Sequence, residues 1–275
     1  MIDQDLAMAV RPLPQFKTMR CAVEGGLVRV TFTQGARGNP IDGDFCEDLF
    51  NLGTALATDP AVRAILFTAE GKAFSFGGDI GLFVSSLDML PTRVLEWTGK
   101  LHSGIARLQR GNAPLICAIH GACAGGMVGL MAGCDIMLAS PDACFVAAYP
   151  RIGFSCDAGS SIMLARRMGF GRARRFLITN ETLRAEEALG AGLIDELAAP
   201  EALAERALEV ARELANGPTL ALGEIRRLLL SAEDQPLDVQ LELEGQALSR
   251  IARTQDAREG LTAFKGGRSP SFLGQ

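Results

Sequence analysis

Stretches with strand, turn and helix character alternate from Met19 to about residue 200, and this alternation limits the possible folds more than any other feature. "MRCAVEGGLVRVTFTQ" alternates around Gly25-Gly26 and predicts a hairpin. "DGDFCEDLFNLGTALATD" has helical apolar spacing and an Asp-rich start, and "VRAILFTAEG" reads as a short buried strand ending in a turn. "PTRVLEWTGKLHSGIARLQRG" predicts a helix opened by Pro91 and stopped by Gly111. "APLICAIHG" is a strand, "GACAGGMVGLMAGC" a glycine-rich turn into a helix of small residues, and "DIMLAS" another strand. From "PEALAERALEVARELANG" onward the text is helical, punctuated by Pro218 and Pro236. The expected organisation is an α/β core over residues 1–199 and a helical region over 200–275, with the boundary near Ala199-Pro200. No internal repeat or low-complexity tract interrupts it.

Composition narrows the partners. The 27 basic and 32 acidic residues leave a net charge of −5, which argues against a nucleic acid or an anionic membrane as main partner. The seven cysteines form no CxxC pair and mostly lie in apolar runs, so free buried thiols in a reducing cytoplasm are expected. Neither a disulfide framework nor a metal site has residue spacing to support it. The opening "MIDQDLAMAVRPLPQFK" lacks the pattern of a signal peptide, and no apolar run is long enough to span a bilayer. A soluble cytoplasmic protein is expected.

Two glycine-rich turns, "KAFSFGGDI" (Lys72 to Ile80) and "HGACAGGMVGL" (His120 to Leu130), each follow a predicted strand. Glycine lets backbone N–H groups approach a ligand without an intervening side chain. Two such turns can aim two amides at one developing oxyanion. Tight turns and close helix packing explain the same glycines without any ligand. A dinucleotide fold is disfavoured, because no GxGxxG follows the first strand.

Taken together and in order, "KAFSFGGDI", "APLICAIHGACAGG", "CDIMLAS", "GRARRFLITNETLRAEEALGAGLIDEL" and "REGLTAFKGGRSPSF" resemble the crotonase superfamily, the enoyl-CoA hydratase/isomerase family. The agreement covers about residues 20–272. The resemblance implies a ββα spiral core, a C-terminal helical region used in oligomerisation as a homotrimer or dimer of trimers, and an acyl-CoA thioester substrate. It places the two thioester-binding amides at Gly78 and Gly126, with Ala73, Phe76 and Asp79 around the first turn as substrate-binding residues. Phe264 and Lys265 match an aromatic-basic pair that reaches the coenzyme A of a neighbouring subunit, although an exposed basic tail explains them equally well. No metal or redox cofactor is implied; coenzyme A enters as part of the substrate.

The positions matching the two hydratase glutamates hold Gly129 and Tyr149. Adding water across a double bond needs a paired acid and base, and these residues argue against ordinary hydration. The remaining carboxylate is Asp157 in "GFSCDAGSS", which resembles the aspartate that is a base in isomerases of the family and a nucleophile in 4-chlorobenzoyl-CoA dehalogenases. Its competing role is N-capping of the following helix. His102 lies twelve residues before Pro114, the spacing of a water-activating histidine in the dehalogenases; a pocket-wall role is equally open. Tyr149 falls where those enzymes carry an indole donor. His120, before the turn glycine, is expected to make a structural hydrogen bond. Trp97 shares the helix of His102 and either borders the acyl pocket or packs in the core.

The leading expectation is an isomerase that shifts a double bond through a thioester enolate with Asp157 as base. The alternatives are a hydrolase or dehalogenase with Asp157 as nucleophile and His102 as water-activating base, and a non-catalytic acyl-CoA binder.

Overall fold

The computed structural model describes residues 9–275. A hairpin of β1 (Met19–Glu24) and β2 (Leu27–Phe32) opens the larger sheet, turning at Gly25 in the left-handed conformation (φ +57°). Helix α1 (Gly43–Ala57), capped by the Asp42 carboxylate on the Phe45 amide, leads to β3 (Ala64–Ala69), which lies parallel to β2. A short helix α2 (Ile80–Val84) and the long α3 (Leu90–Arg110) follow, and α3 ends at Gly111 as its sequence predicts. Then come β4 (Leu115–Ile119), β5 (Ala122–Ala124), α4 (Gly126–Ala132), β6 (Ile136–Ala139) and β7 (Cys144–Val146). Helices α5 (Ser160–Met168) and α6 (Phe170–Thr179), strand β8 (Thr182–Arg184), α7 (Ala185–Gly190) and β9 (Glu196–Leu197) complete this part. Four helices, α8 (Leu203–Ala215), α9 (Thr219–Ser231), α10 (Leu237–Ile251) and α11 (Gln255–Lys265), close the chain.

Among the described residues the strands form a six-stranded sheet, β1-β2-β3-β4-β6-β9, and a three-stranded sheet, β5-β7-β8. From β2 to β9 the larger sheet is parallel, and both of its faces are covered. Residues Ile65 and Phe67 of β3 and Leu115, Cys117 and Ile119 of β4 point into the main core with α1 and α3. Their alternates, Ala64, Leu66, Ile116 and Ala118, meet Leu203, Ala207, Val210 and Ala211 of α8 on the other face. This period-two division explains why the strands read as continuous apolar runs.

Two further features position the site. Helices α1 and α3 cross at backbone contact: a Cβ on Gly53 would lie 2.7 Å from the Gly104 carbonyl oxygen, and one on Gly104 would lie 2.6 Å from that of Leu49. This close crossing sets the position of α3, which carries Trp97 and His102. The strand β5 sits beside the Ser75 turn through a parallel bridge to Cys123, which brings the two glycine-rich turns together. No helix among the described residues is long and apolar enough to cross a membrane.

Candidate active site

The first glycine turn is held on both sides. Ser75 donates its amide to Ala122 and accepts from Ala124 (3.0 and 2.9 Å), while the Ile41 amide donates to the Gly77 carbonyl (2.8 Å). The Ser75 hydroxyl donates to the Asn39 carbonyl and accepts from the Gly77 amide. Gly77 has φ +81°, and a Cβ there would lie 2.8 Å from the Ala124 oxygen, so both dihedral and space demand glycine. The second turn approaches it directly: a Cβ at Gly125 (φ +56°) would stand 3.5 Å from the Gly77 Cα and 4.0 Å from the Gly78 nitrogen. Gly126 opens α4, where an amide has no partner within the helix. Among the described residues neither the Gly78 nor the Gly126 amide donates to another backbone group of the turns and loops, and both residues line one cavity of about 260 Å³.

Asp157 lines the same cavity, and its carboxylate does not cap α5. The cap position belongs to Gly159, in the left-handed conformation, and no side chain bonds there. The Asp157 Oδ1 instead accepts the Tyr149 hydroxyl at 2.7 Å, and that hydroxyl is also 3.1 Å from Ser160 Oγ. Burial first, and then the charge of Asp157, push the Tyr149 phenol well above the usual tyrosine range, so it stays protonated and donates. The carboxylate lies against the second turn: a Cβ on Gly126 would be 2.9 Å from Asp157 Oδ1. The neighbouring Ala158 is fully buried with φ +51°, a conformation that costs an L-residue roughly 1–2 kcal/mol. Its amide donates to His102 Nε2 at 3.1 Å.

The cavity walls are mainly apolar. Phe83 stacks on Trp97 and on Phe154, with ring centroids 6.3 and 5.8 Å apart, and Phe76, Ile41 and Leu101 add further apolar wall. Phe83 also covers Gly78, its ring tip 2.9 Å from where a Cβ would stand. Cys46 lines the cavity too, but burial, with lesser contributions from Asp42 and Asp157, pushes its thiol up to about 12, so it is no thiolate nucleophile. Asp157 is the only carboxylate among the described residues of this lining.

Thus Gly78, Gly126, Asp157, Tyr149, Phe76 and Trp97 come together on one cavity. Ala73 and Asp79 do not line it. Ala73 is buried and its carbonyl accepts Asn39 Nδ2, whereas the Asp79 carboxylate caps α2 at Leu82 and pairs with Arg37 at 2.7 Å. The Leu82 amide, ahead of Arg37, holds the Asp79 carboxyl below the usual range. Phe264 and Lys265 stand on α11, outside this cavity, with Phe264 89% exposed. His120 Nε2 donates to the Gly71 carbonyl at 2.9 Å, the structural bond its position suggests. Phe83, Phe154, Ser160 and Ala158 carry no local sequence signal for the site; each arrives there through tertiary packing.

A family profile described as enoyl-CoA hydratase/isomerase matches residues 22–275. The chain belongs to the enoyl-CoA hydratase/isomerase family. It is 33% identical over 254 residues to the 1,2-epoxyphenylacetyl-CoA isomerase of Escherichia coli (strain K12), covering 92% of this chain and 97% of the relative. It is 30% identical over 245 residues to 4-chlorobenzoyl coenzyme A dehalogenase-1 of an Arthrobacter species, covering 87% of each. Its structure is similar to that of an enoyl-CoA hydratase from Polaromonas sp. JS666, with TM-score 0.86, 27% identity, and coverage of 92% and 99%. Fold and family are those the sequence motifs imply, and the protein is a crotonase-fold enzyme of acyl-CoA chemistry.

Gly129, which the sequence resemblance matches to the first hydratase glutamate, is closed to any side chain. A Cβ on Gly129 would collide with Ser160 Oγ and would lie 2.8 Å from both the Ser160 nitrogen and Cα. Gly129→Glu is therefore expected to lower the melting temperature by several degrees through overpacking, without creating hydratase activity. A calorimetric scan and a hydration assay on the variant check both halves.

Proposed function

We propose that the protein is an isomerase that moves a double bond in an apolar acyl-CoA, with Asp157 carrying the proton. In this reading the amides of Gly78 and Gly126 donate to the thioester oxygen. The Asp157 carboxylate removes a proton from an acyl carbon, and the electron pair of the broken C–H bond spreads onto that oxygen as an enolate. The same carboxyl group then returns the proton at the other end of the conjugated system, re-forming the thioester carbonyl with the double bond displaced. One carboxylate suffices because it first takes the proton and then gives it back. Tyr149, kept protonated by burial, orients Asp157 and moderates its charge. No metal or redox cofactor takes part, and coenzyme A enters as part of the substrate.

The observation that carries this reading is the single carboxylate, Asp157, set against the Gly126 turn in a cavity otherwise walled mainly by apolar and aromatic groups. The blocked Gly129 position supports it against hydration. The hydrolytic reading, with Asp157 as nucleophile, draws support from the 30% identity to the Arthrobacter dehalogenase and from the Tyr149 contact. It also asks His102 for a lone pair that meets the Ala158 amide here. The test is to offer conjugated and non-conjugated enoyl-CoA isomers in deuterated water. Double-bond migration with deuterium entering the acyl chain supports the isomerase. Accumulation of a hydroxyacyl-CoA, or an acyl or aryl mass carried on Asp157, overturns it.

A homotrimer, or a dimer of such trimers, is part of the same proposal. Leu237, Leu241 and Leu248 of α10 and Leu261 and Phe264 of α11 are exposed in the single chain, an apolar surface that favours burial against other copies. Sedimentation is expected to give about three times the 29.2 kDa chain mass, or twice that. A stable monomer at micromolar concentration contradicts it.

A further inference from the structure

We propose that His102 is a positioning residue: its neutral imidazole accepts the Ala158 amide, holds the Asp157–Ser160 turn in place, and supplies no base to the reaction. That Asp157 faces the reacting acyl group is taken from the reading above. The hydrogen-bonding role of His102 does not depend on which reaction Asp157 performs.

The imidazole has no lone pair to spare. His102 Nε2 lies 3.1 Å from the Ala158 nitrogen, with the amide hydrogen directed at it. A nitrogen that accepts from an N–H carries no proton itself, and in a neutral ring the proton is then on Nδ1, which can only donate. Neither nitrogen can take a proton from water without first giving up the Ala158 bond. His120 offers an internal contrast, since its Nε2 meets a carbonyl oxygen and must carry the proton there. The chain's two histidines thus use Nε2 in opposite roles, as donor at His120 and as acceptor at His102.

The bond acts where the backbone needs holding. Ala158, fully buried, occupies the left-handed region without being glycine, and such a conformation persists only when its surroundings fix it. Three of the bonds that fix this turn run from Ala158 N–H to His102, from the Tyr149 hydroxyl to Asp157 Oδ1, and from the Ser160 amide to the Asp157 carbonyl at 2.8 Å. Two of them meet on Asp157 itself, and the third holds the residue after it. His102 reaches the turn from α3, whose close crossing with α1 sets its depth.

Protonating the ring would place an N–H against the Ala158 N–H and release the turn. His102 also lines a second cavity of about 500 Å³, whose charged and titratable lining residues are Asp157 and Cys156 on the turn, Arg110 on α3 and Arg166 on α5. Tyr149 adds its hydroxyl through Asp157.

The test is long-range proton–nitrogen NMR on the full-length protein labelled at histidine nitrogens, near neutral pH. Two ring systems are expected, one protonated at Nε2 (His120) and one at Nδ1, the latter vanishing in His102→Gln. A proton on His102 Nε2, or an imidazolium at that pH, overturns the proposal. The variants give a second readout. A glutamine oxygen can reach the place of Nε2, so in His102→Gln the peptide carrying Ala158 is expected to keep its slow deuterium exchange, and kcat to stay near wild type. In His102→Leu exchange is expected to quicken and kcat to fall by about tenfold, the worth of one lost hydrogen bond, with KM little changed. Equal loss in both variants, or a covalent mass trapped on Asp157 in His102→Gln, counts against a positioning role.

Discussion

Asp157→Asn is expected to fold as the wild type does and to lose about 10²- to 10⁴-fold in turnover, the span that a positioned proton-transfer group supplies. Asparagine keeps the shape of the side chain and an oxygen that can accept the Tyr149 hydroxyl, which burial keeps protonated. Helix α5 does not depend on the carboxylate, because its cap position is Gly159 and no side chain bonds there. Melting temperature and circular dichroism should therefore stay close to wild type while the rate collapses. Deuterium exchange into the acyl chain should disappear with it, because the amide has no basic oxygen to receive the proton. Full activity on a substrate that the wild type isomerises would remove Asp157 from the mechanism. A rapid quench of wild-type turnover separates base from nucleophile, since only the nucleophile leaves the protein heavier by the acyl or aryl group.

The frame of the fold is legible in the sequence because its signals are local. The Gly25-Gly26 hairpin, the Pro91-to-Gly111 helix and the buried runs of β3 and β4 follow from turn chemistry and apolar spacing. The short strands β5, β7 and β8 do not stand out, since three residues carry no measurable period and their pairing is set by distant partners. The pocket shows the same division. Gly78 and Gly126 announce themselves as glycines in turns, and the family resemblance places them. Asp157 remains divided between cap and reagent at the sequence level because both roles use the same residue type before a helix. What takes the capping role away from Asp157 is a left-handed Gly159 at the cap position itself, while the carboxylate accepts a tertiary bond from Tyr149. Ala158 offers no clue at all, because its dihedral belongs to the packed turn and is not a preference of alanine.

Gly126→Ala is expected to cost at least about 10²- to 10³-fold in kcat, the scale on which loss of one oxyanion-hole donor is felt. The backbone dihedrals alone do not forbid the change, since Gly126 is not among the residues with positive φ. Space does resist it. The new methyl would stand 2.9 Å from Asp157 Oδ1, 3.2 Å from the Ile41 Cδ1 and 3.3 Å from the Ala158 Cβ. Relief can come only from moving the amide of residue 126, the carboxylate of Asp157, or both, and each of these groups faces the thioester in the proposed reaction. The helix behind them gives little room, because every residue of α4 from Gly126 to Ala132 is buried. A bulkier Gly126→Val should be worse again and should also lower the melting temperature, which makes alanine the cleaner probe. Assaying Gly126→Ala beside Asp157→Asn and the double variant tells whether the two groups act on one transition state. Losses much smaller in the double variant than the product of the singles are expected, because displacing the amide already displaces the carboxylate. Unchanged turnover in a correctly folded Gly126→Ala would exclude this amide from the reaction and, with it, the enolate.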